Sequence, residues 1–254
     1  MSVATEKRRS AWIRGIWGTN VGKKYVAAVS GAILVAYVIL HMVGNLNAFA
    51  GAGDGEARID SYAEWLREFG EPLLPHAFVL WVVRVVLLAA LVLHVTSVAQ
   101  LRRASRQARG PYPARRIGRT FSAATMVATG GLLLAFIIFH ILQFTTLTID
   151  VTPLESGAVY ANLYWAFQKW YFVVLYVLAV SALGFHLRHA VWSMFQSLGL
   201  DSPRRNRRLR TGATVVAVVL TVGFAAVPVA FISGALPEPA DQHAAALVTS
   251  EASA

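Results

Sequence analysis

The chain of 254 residues contains no cysteine. Without thiolates it can form no disulfide, ligate no iron–sulfur cluster and attach no c-type haem through a Cys-x-x-Cys-His motif. Charged residues are also scarce, at 14% of the sequence, whereas about 25% is usual for soluble domains. Because the chain has no cysteine, any iron–sulfur chemistry linked to this protein must belong to a partner.

Hydrophobic residues make up 56% of the sequence and are concentrated in five long runs, none of which contains an Asp or Glu. A helix that crosses a bilayer needs about 20 predominantly apolar residues. We therefore predict an all-α integral membrane bundle of five transmembrane helices. The predicted spans are residues 24–49, 76–101, 119–146, 168–198 and 211–235.

Positive and negative charges are segregated along the chain. Lys and Arg cluster before span one and in the connections from span two to three and from span four to five, whereas Asp and Glu follow spans one, three and five. By the positive-inside rule this pattern predicts a cytoplasmic N-terminus and a C-terminus outside. The net charge of +10 then reflects topology and contact with lipid or a cytoplasmic partner, and not nucleic acid.

The segments outside the spans contain little other structure. Residues 1–22 combine aromatic and basic residues at helical spacing, which predicts an interfacial helix on the cytoplasmic face. The apolar spacing of residues 59–69 predicts a short helix over the outer end of the bundle. The transmembrane domain covers residues 23–236, and the composition of residues 237–254 predicts a disordered outer tail.

Four histidines lie inside the first four apolar runs, namely His41, His94, His140 and His186. An imidazole in hydrocarbon is costly without a partner, so such residues usually mark function. Successive helices run in opposite directions and rise about 1.5 Å per residue. This places His41 and His140 near the outer side, and His94 and His186 near the inner side. The two levels predict two pairs of metal ligands, each of which would suit a bis-histidine haem. Such a haem has no open coordination position, so it suits electron transfer.

The sequence also leaves alternatives open for the fourth ligand, for the glycines near the inner pair and for the role of the four histidines. His189 competes with His186 as the fourth ligand, although it lies closer to the cytoplasmic interface. Gly31, Gly130 and Gly131 lie at the level of the inner pair, where they either admit a macrocycle or simply allow close helix packing. A non-redox transporter could use the histidines as a proton relay, but it would usually also carry acidic residues in the membrane.

Arg84 is a cation inside the second apolar run, ten residues before His94. That spacing corresponds to about 15 Å, which puts the guanidinium near the level of the outer pair. Since no span contains a carboxylate, a haem propionate would supply the missing anion and accept a bidentate hydrogen bond. Snorkelling toward the outer interface is the alternative.

Several short motifs occur in a fixed order over roughly residues 17–235. They are Gly22-Lys-Lys24 with Ser30-Gly31, His41-Met-Val-Gly-Asn-Leu46, Trp81-x-x-Arg84 before His94, Phe136-Ile-Ile-Phe-His140, and the run from His186 to Gly199. Together they resemble the cytochrome b subunit of succinate:quinone oxidoreductases in its five-helix, two-haem form. One departure is Ala190, where many relatives have glycine.

The resemblance implies a multi-pass protein of the bacterial cytoplasmic membrane that anchors a flavoprotein and an iron–sulfur subunit. FAD and the iron–sulfur clusters then belong to these partners, which oxidise succinate in the tricarboxylic acid cycle. This chain has no succinate site, carries two b haems and passes electrons to quinone, for which menaquinone is the expectation. In that family the axial histidines come from helices one and three and from helices two and four, in agreement with the pairing by depth.

Polar residues near the helix ends complete the set of expected contacts. Arg84 and Lys169 are candidate propionate partners of the outer haem, Lys24 and Ser30 of the inner haem, and Gln143, Asn45 and His76 are candidate quinone contacts. Such residues are also common as ordinary interfacial groups. A stand-alone cytochrome b, or the cytochrome subunit of a hydrogenase or formate dehydrogenase, would share the four histidines but not the surrounding motifs.

Overall fold

Helices account for most of the residues that the structure describes. The computed structural model describes residues 15, 17–51, 57–108, 121–149 and 156–239. Within these ranges the chain is 82% helical and has no β-strand. The interfacial helix predicted within residues 1–22 and the tail predicted at 237–254 lie mostly outside the described residues.

Within the described residues, seven α-helices and one 3-10 helix follow one another. They are α1 (Asn20–Asn45), the 3-10 helix (Leu46–Ala50), α2 (Arg58–Glu68), α3 (Phe78–Gln107), α4 (Phe121–Phe144), α5 (Val159–Phe167), α6 (Trp170–Ser197) and α7 (Pro203–Ile232). Helices α1, α3, α4, α6 and α7 are long and apolar enough to cross a membrane. The all-α class is therefore confirmed, as is the presence of five helices long and apolar enough to span a membrane, while the orientation of the termini stays a prediction.

Two of the long helices extend well beyond their apolar runs. Helix α3 continues to Gln107 through an Arg-rich turn, and α7 begins at Pro203. Arginine is a good helix former in water, so a helix need not end where hydrocarbon ends. At α7 the backbone N–H of Arg205 donates to the Ser202 hydroxyl at 3.3 Å, and a serine cap followed by proline is a common helix start.

The described residues form two compact units, to which the long helices contribute different parts. The His94 unit consists of the described parts of Met1–Ile39, Val79–Val127 and Phe185–Ala217. The His41 unit consists of the described parts of Leu40–Phe78, Ala128–Gly184 and Val218–Ala254. His94 and His186 thus belong to the first unit, and His41 and His140 to the second.

The core of the His41 unit is rich in aromatic side chains from α5, α6 and α7. Phe231 is 0% exposed and Phe167 is 2% exposed, and their ring centroids lie 6.2 Å apart. Tyr176 meets Phe167 edge to face at 5.1 Å. Aromatic pairs of this geometry contribute about 0.5–1.5 kcal/mol beyond area burial. They hold Tyr176 of α6 in one position in the interior.

Hydrogen bonds tie the short helices of the His41 unit to the end of α7. Asp60 of α2 accepts the backbone N–H of Tyr160 at the start of α5, at 2.9 Å. The Tyr160 hydroxyl donates to the carbonyl of Pro237 at 2.9 Å. Burial and, to a lesser extent, the neighbouring Tyr164 raise the pKa of Tyr160, so its hydroxyl remains a donor. The predicted outer helix is thus present as α2.

Most of the buried positions of the His94 unit are occupied by small residues, with Leu187 as an exception. Ala28 of α1, Ala90 and Ser97 of α3 and Ala213 of α7 are each at most 6% exposed. Small side chains let membrane helices approach closely. Backbone carbonyls of one helix therefore come within reach of polar side chains on the next.

Replacing Asp60 by alanine tests the link between α2 and α5. The backbone N–H of Tyr160 would lose its acceptor, and loss of a helix N-terminal cap typically costs about 0.5–2 kcal/mol. We expect faster amide hydrogen exchange in α5 and a lower melting temperature in detergent. Glu68→Ala, which removes an exposed carboxylate from the same helix, is the matched control. Equal exchange in the two variants would contradict the assignment.

Candidate metal centre

His41 of α1 and His140 of α4 face each other in the His41 unit. Their ring centroids are 5.9 Å apart and their planes are inclined by 77°. Metal–imidazole bonds are about 2.0–2.1 Å long, so one ion between two imidazoles separates their ring centres by about 6 Å. The two imidazoles are therefore close enough that both could bind a single metal ion between them.

Aromatic rings surround this pair. Phe136 and Phe144 lie one turn before and one turn after His140, with ring centroids 5.9 Å and 5.7 Å from the imidazole. Phe224 of α7 is 5.8 Å from His41. An apolar shell of this kind limits access of water and lowers the local dielectric constant, which raises the influence of each remaining polar contact.

The hydrogen bonds of His140 determine which ring nitrogen carries the proton. Its Nδ1 is 3.1 Å from the hydroxyl of Tyr176, and that hydroxyl donates its own proton to Oε1 of Gln143 at 2.8 Å. The phenol oxygen therefore acts as acceptor toward His140, and Nδ1 carries the hydrogen. In a neutral imidazole the lone pair is then on Nε2.

His94 has the same protonation pattern with a different acceptor. Its Nδ1 is 3.1 Å from the backbone carbonyl of Ala27 in α1. A carbonyl oxygen can only accept, so Nδ1 is the donor and Nε2 carries the lone pair. A Cβ atom on Gly31 would lie 3.2 Å from Cε1 and 3.3 Å from Nδ1 of this ring. The glycine lets the imidazole lie against α1.

His186 of α6 is the neighbour of His94 in the same unit. It is hydrogen-bonded to the backbone of Met126 and lies within electrostatic range of both His94 and His189. His189 meets Trp192 edge to face, with ring centroids 5.8 Å apart. The structure thus places His94 and His186 in one unit and within electrostatic range of each other, while the His189 ring contacts Trp192.

Two histidines per pair suffice for a haem but not for a bare metal ion. Within the described ranges, no three or more His, Cys, Asp or Glu side chains form a group that could hold a metal ion. A porphyrin supplies four nitrogen ligands of its own, and haem iron needs only axial ligands from the protein. The donor set therefore fits bis-histidine haem.

The helices that bear these histidines leave open surface beside them. In the most apolar stretch of α4 none of the residues is buried, and in that of α3 only 6% are. A Cβ atom on Gly131 would meet no atom within 4 Å. The small size of Gly31 makes room for the His94 ring, whereas Gly131 faces open space.

The candidate propionate partners have varied surroundings. The Arg84 guanidinium lies over the ring of Trp81, 4.9 Å from its centroid, on an exposed face of α3. Ser30 is 3% exposed, and its hydroxyl donates at 2.6 Å to a carbonyl one turn earlier in α1. Lys24 is exposed in a groove beside α3, and Lys169 is half-buried before α6. Their role at propionates stays a prediction.

The candidate quinone contacts also have partners within the protein. Gln143 is 1% exposed and accepts the hydrogen bond of Tyr176. Asn45 donates at 3.0 Å to a carbonyl one turn earlier in α1. His76 is exposed, with Nδ1 3.0 Å from a Glu71 carboxylate oxygen. Their contact with quinone stays a prediction, and Gln143 belongs to the surroundings of His140.

Sequence reasoning did not identify Tyr176, the carbonyl of Ala27 or helix α5. A signal for Tyr176 was present, because it precedes His186 by ten residues, the spacing that separates Arg84 from His94. Ten residues correspond to about 15 Å, the separation that the sequence predicts between the two histidine levels. A backbone acceptor leaves no such signal.

Comparison with known proteins does not assign the chain to a family. No protein-family model matches it, and no curated protein or solved structure is similar to it. The functional inference therefore rests on its residues and their geometry.

Replacing Gly31 by valine tests the close approach of His94 to α1. The added side chain would occupy the space of the imidazole, and overpacking of this kind typically costs about 1–3 kcal/mol. For a chain of this size that lowers the melting temperature by about 2–4 °C per kcal/mol. Gly212→Val in α7 is the control, because a Cβ there meets no atom within 4 Å. A Gly31 variant as stable as the control would contradict the contact.

Proposed function

We propose that this chain is the membrane-anchor cytochrome b subunit of a succinate dehydrogenase, with one b haem between His41 and His140 and another between His94 and His186. The observation that carries the proposal is the arrangement of two histidine pairs on apolar helices. In each pair one histidine donates its Nδ1–H to an internal acceptor, which leaves the lone pair on Nε2. A ligating histidine commonly donates its other N–H in this way.

The residues around the pairs support a redox role. Haem held by two imidazoles supplies one-electron transfer without an open position for oxygen. Tyr176 and the carbonyl of Ala27 orient the rings of His140 and His94. The phenyl rings of Phe136, Phe144 and Phe224 limit access of water to the His41 unit.

The charge pattern supports the remaining parts of the proposal. The Arg-rich ends of α3 and α7, with residues 102–106 and 204–210, are assigned to the cytoplasmic side, and the N-terminus with them. A flavoprotein and an iron–sulfur subunit would dock there, since this chain has no cysteine for a cluster. The acceptor is a membrane quinone, with menaquinone as the expected type, and the membrane is the bacterial cytoplasmic membrane.

Haem content tests the first part of the proposal. Purified protein should contain two low-spin b haems per chain by pyridine haemochrome assay, because each histidine pair supplies one set of axial ligands. His41→Ala or His140→Ala should remove one redox component, and His94→Ala or His186→Ala the other. A colourless protein produced with ample haem would show that the histidines serve another purpose, such as proton transfer.

His186 and His189 are distinguished in the same assay. His186→Ala should abolish the component that His94→Ala abolishes, whereas His189→Ala should retain both, since His189 packs against Trp192. The reverse result would make His189 the fourth ligand.

Isolation of the native complex tests the second part. The chain should co-purify with a flavoprotein and an iron–sulfur protein, and succinate should reduce its haem. Haem that responds to formate or hydrogen, or that purifies without partners, would instead indicate one of the other cytochrome b types.

A further inference from the structure

A buried tyrosine hydroxyl connects two polar side chains of α4. Tyr176 is 7% exposed and Gln143 is 1% exposed. The Tyr176 ring is held by edge-to-face contacts with Phe136 at 4.9 Å and Phe167 at 5.1 Å. Its hydroxyl oxygen lies 3.1 Å from Nδ1 of His140 and 2.8 Å from Oε1 of Gln143. The three groups form one hydrogen-bonded chain in an apolar interior.

Gln143 determines the direction in which these hydrogen bonds are donated. An amide oxygen can only accept, so it takes the proton of the Tyr176 hydroxyl. The phenol oxygen then presents a lone pair to His140, which must donate from Nδ1. Without Gln143 the hydroxyl could turn and donate to Nδ1, and the imidazole proton would move to Nε2. An imidazole protonated at Nε2 cannot use that nitrogen as a metal ligand.

We propose that Tyr176 and Gln143 are positioning residues that hold His140 in the Nδ1–H tautomer and set the reduction potential of the haem it shares with His41. This inference rests on the proposed function. An acceptor on Nδ1–H makes the imidazole more basic. A more basic axial ligand stabilises the oxidised iron, so these hydrogen bonds lower the reduction potential of the haem.

The two histidine pairs differ in this respect. His94 donates to a main-chain carbonyl, which no side-chain substitution removes. His140 donates to a phenol, whose acceptor strength depends on two side chains. Substitution at these two positions should therefore change the potential of one haem and leave that of the other unchanged.

Redox titration of the full-length protein tests the proposal with Tyr176→Phe. This variant keeps the ring and removes the acceptor, so the potential of the His41–His140 component should rise. We expect the ratio of oxidised to reduced haem at a fixed potential to fall by up to about tenfold, which corresponds to 59 mV for one electron. The ferric electron paramagnetic resonance signal of the same component should shift. Tyr171→Phe, at an exposed tyrosine of the same helix, is the matched control and should change neither component.

Gln143→Met provides the second variant, because it conserves volume and leaves the phenol in place. The hydroxyl would then be free to reverse, and we expect a raised potential or partial loss of the same haem. If Tyr176→Phe lost both haems through misfolding, the result with Gln143→Met would decide. Unchanged potentials in a folded variant, with two haems in the unmodified protein, would overturn the inference and leave the proposed function intact. Absence of haem from the unmodified protein would overturn the proposed function itself.

Discussion

The constraint on which the rest of this structure depends is that an imidazole inside hydrocarbon has no water to accept its N–H hydrogen. Each ring must find an acceptor within the protein, since an unsatisfied polar group there costs several kcal/mol. His94 uses the carbonyl of Ala27, and His140 uses the hydroxyl of Tyr176. In both cases the acceptor takes the Nδ1 hydrogen and leaves the other nitrogen with a lone pair. Under the proposed function, the need to satisfy one ring nitrogen thus leaves the other available to a metal.

The two units meet this need by different kinds of packing. In the His94 unit, small residues such as Ala28 and Ala90 are buried, and Gly31 allows the ring to lie against α1. A backbone carbonyl is therefore close enough to accept. In the His41 unit, large aromatic residues fill the interior and hold a tyrosine whose hydroxyl accepts instead. The first solution is tied to the backbone, whereas the second depends on side chains and can be adjusted by substitution.

Under the proposed function, this difference bears on how one chain could hold two chemically similar redox groups with different properties. Two bis-histidine haems have identical axial ligands, so their potentials would differ through hydrogen bonds, burial, nearby charge and distortion of the macrocycle. The phenol and amide next to His140 have no counterpart next to His94, whose Nδ1 acceptor is a main-chain carbonyl. Under the proposed function, this difference would contribute to a difference in reduction potential between the two haems.

The sequence alone determined the all-α class and the five helices long and apolar enough to span a membrane, because apolar run length is a local property. It also predicted the two histidine pairs, because helical rise is a local property as well. It did not determine the full length of α3 and α7, since Arg-rich turns remain helical outside hydrocarbon. Nor did it reveal the roles of Tyr176, Gln143 and the carbonyl of Ala27. Only the tertiary structure decided those, because a hydrogen bond between two helices depends on their separation and rotation. Periodicity within either helix records neither quantity.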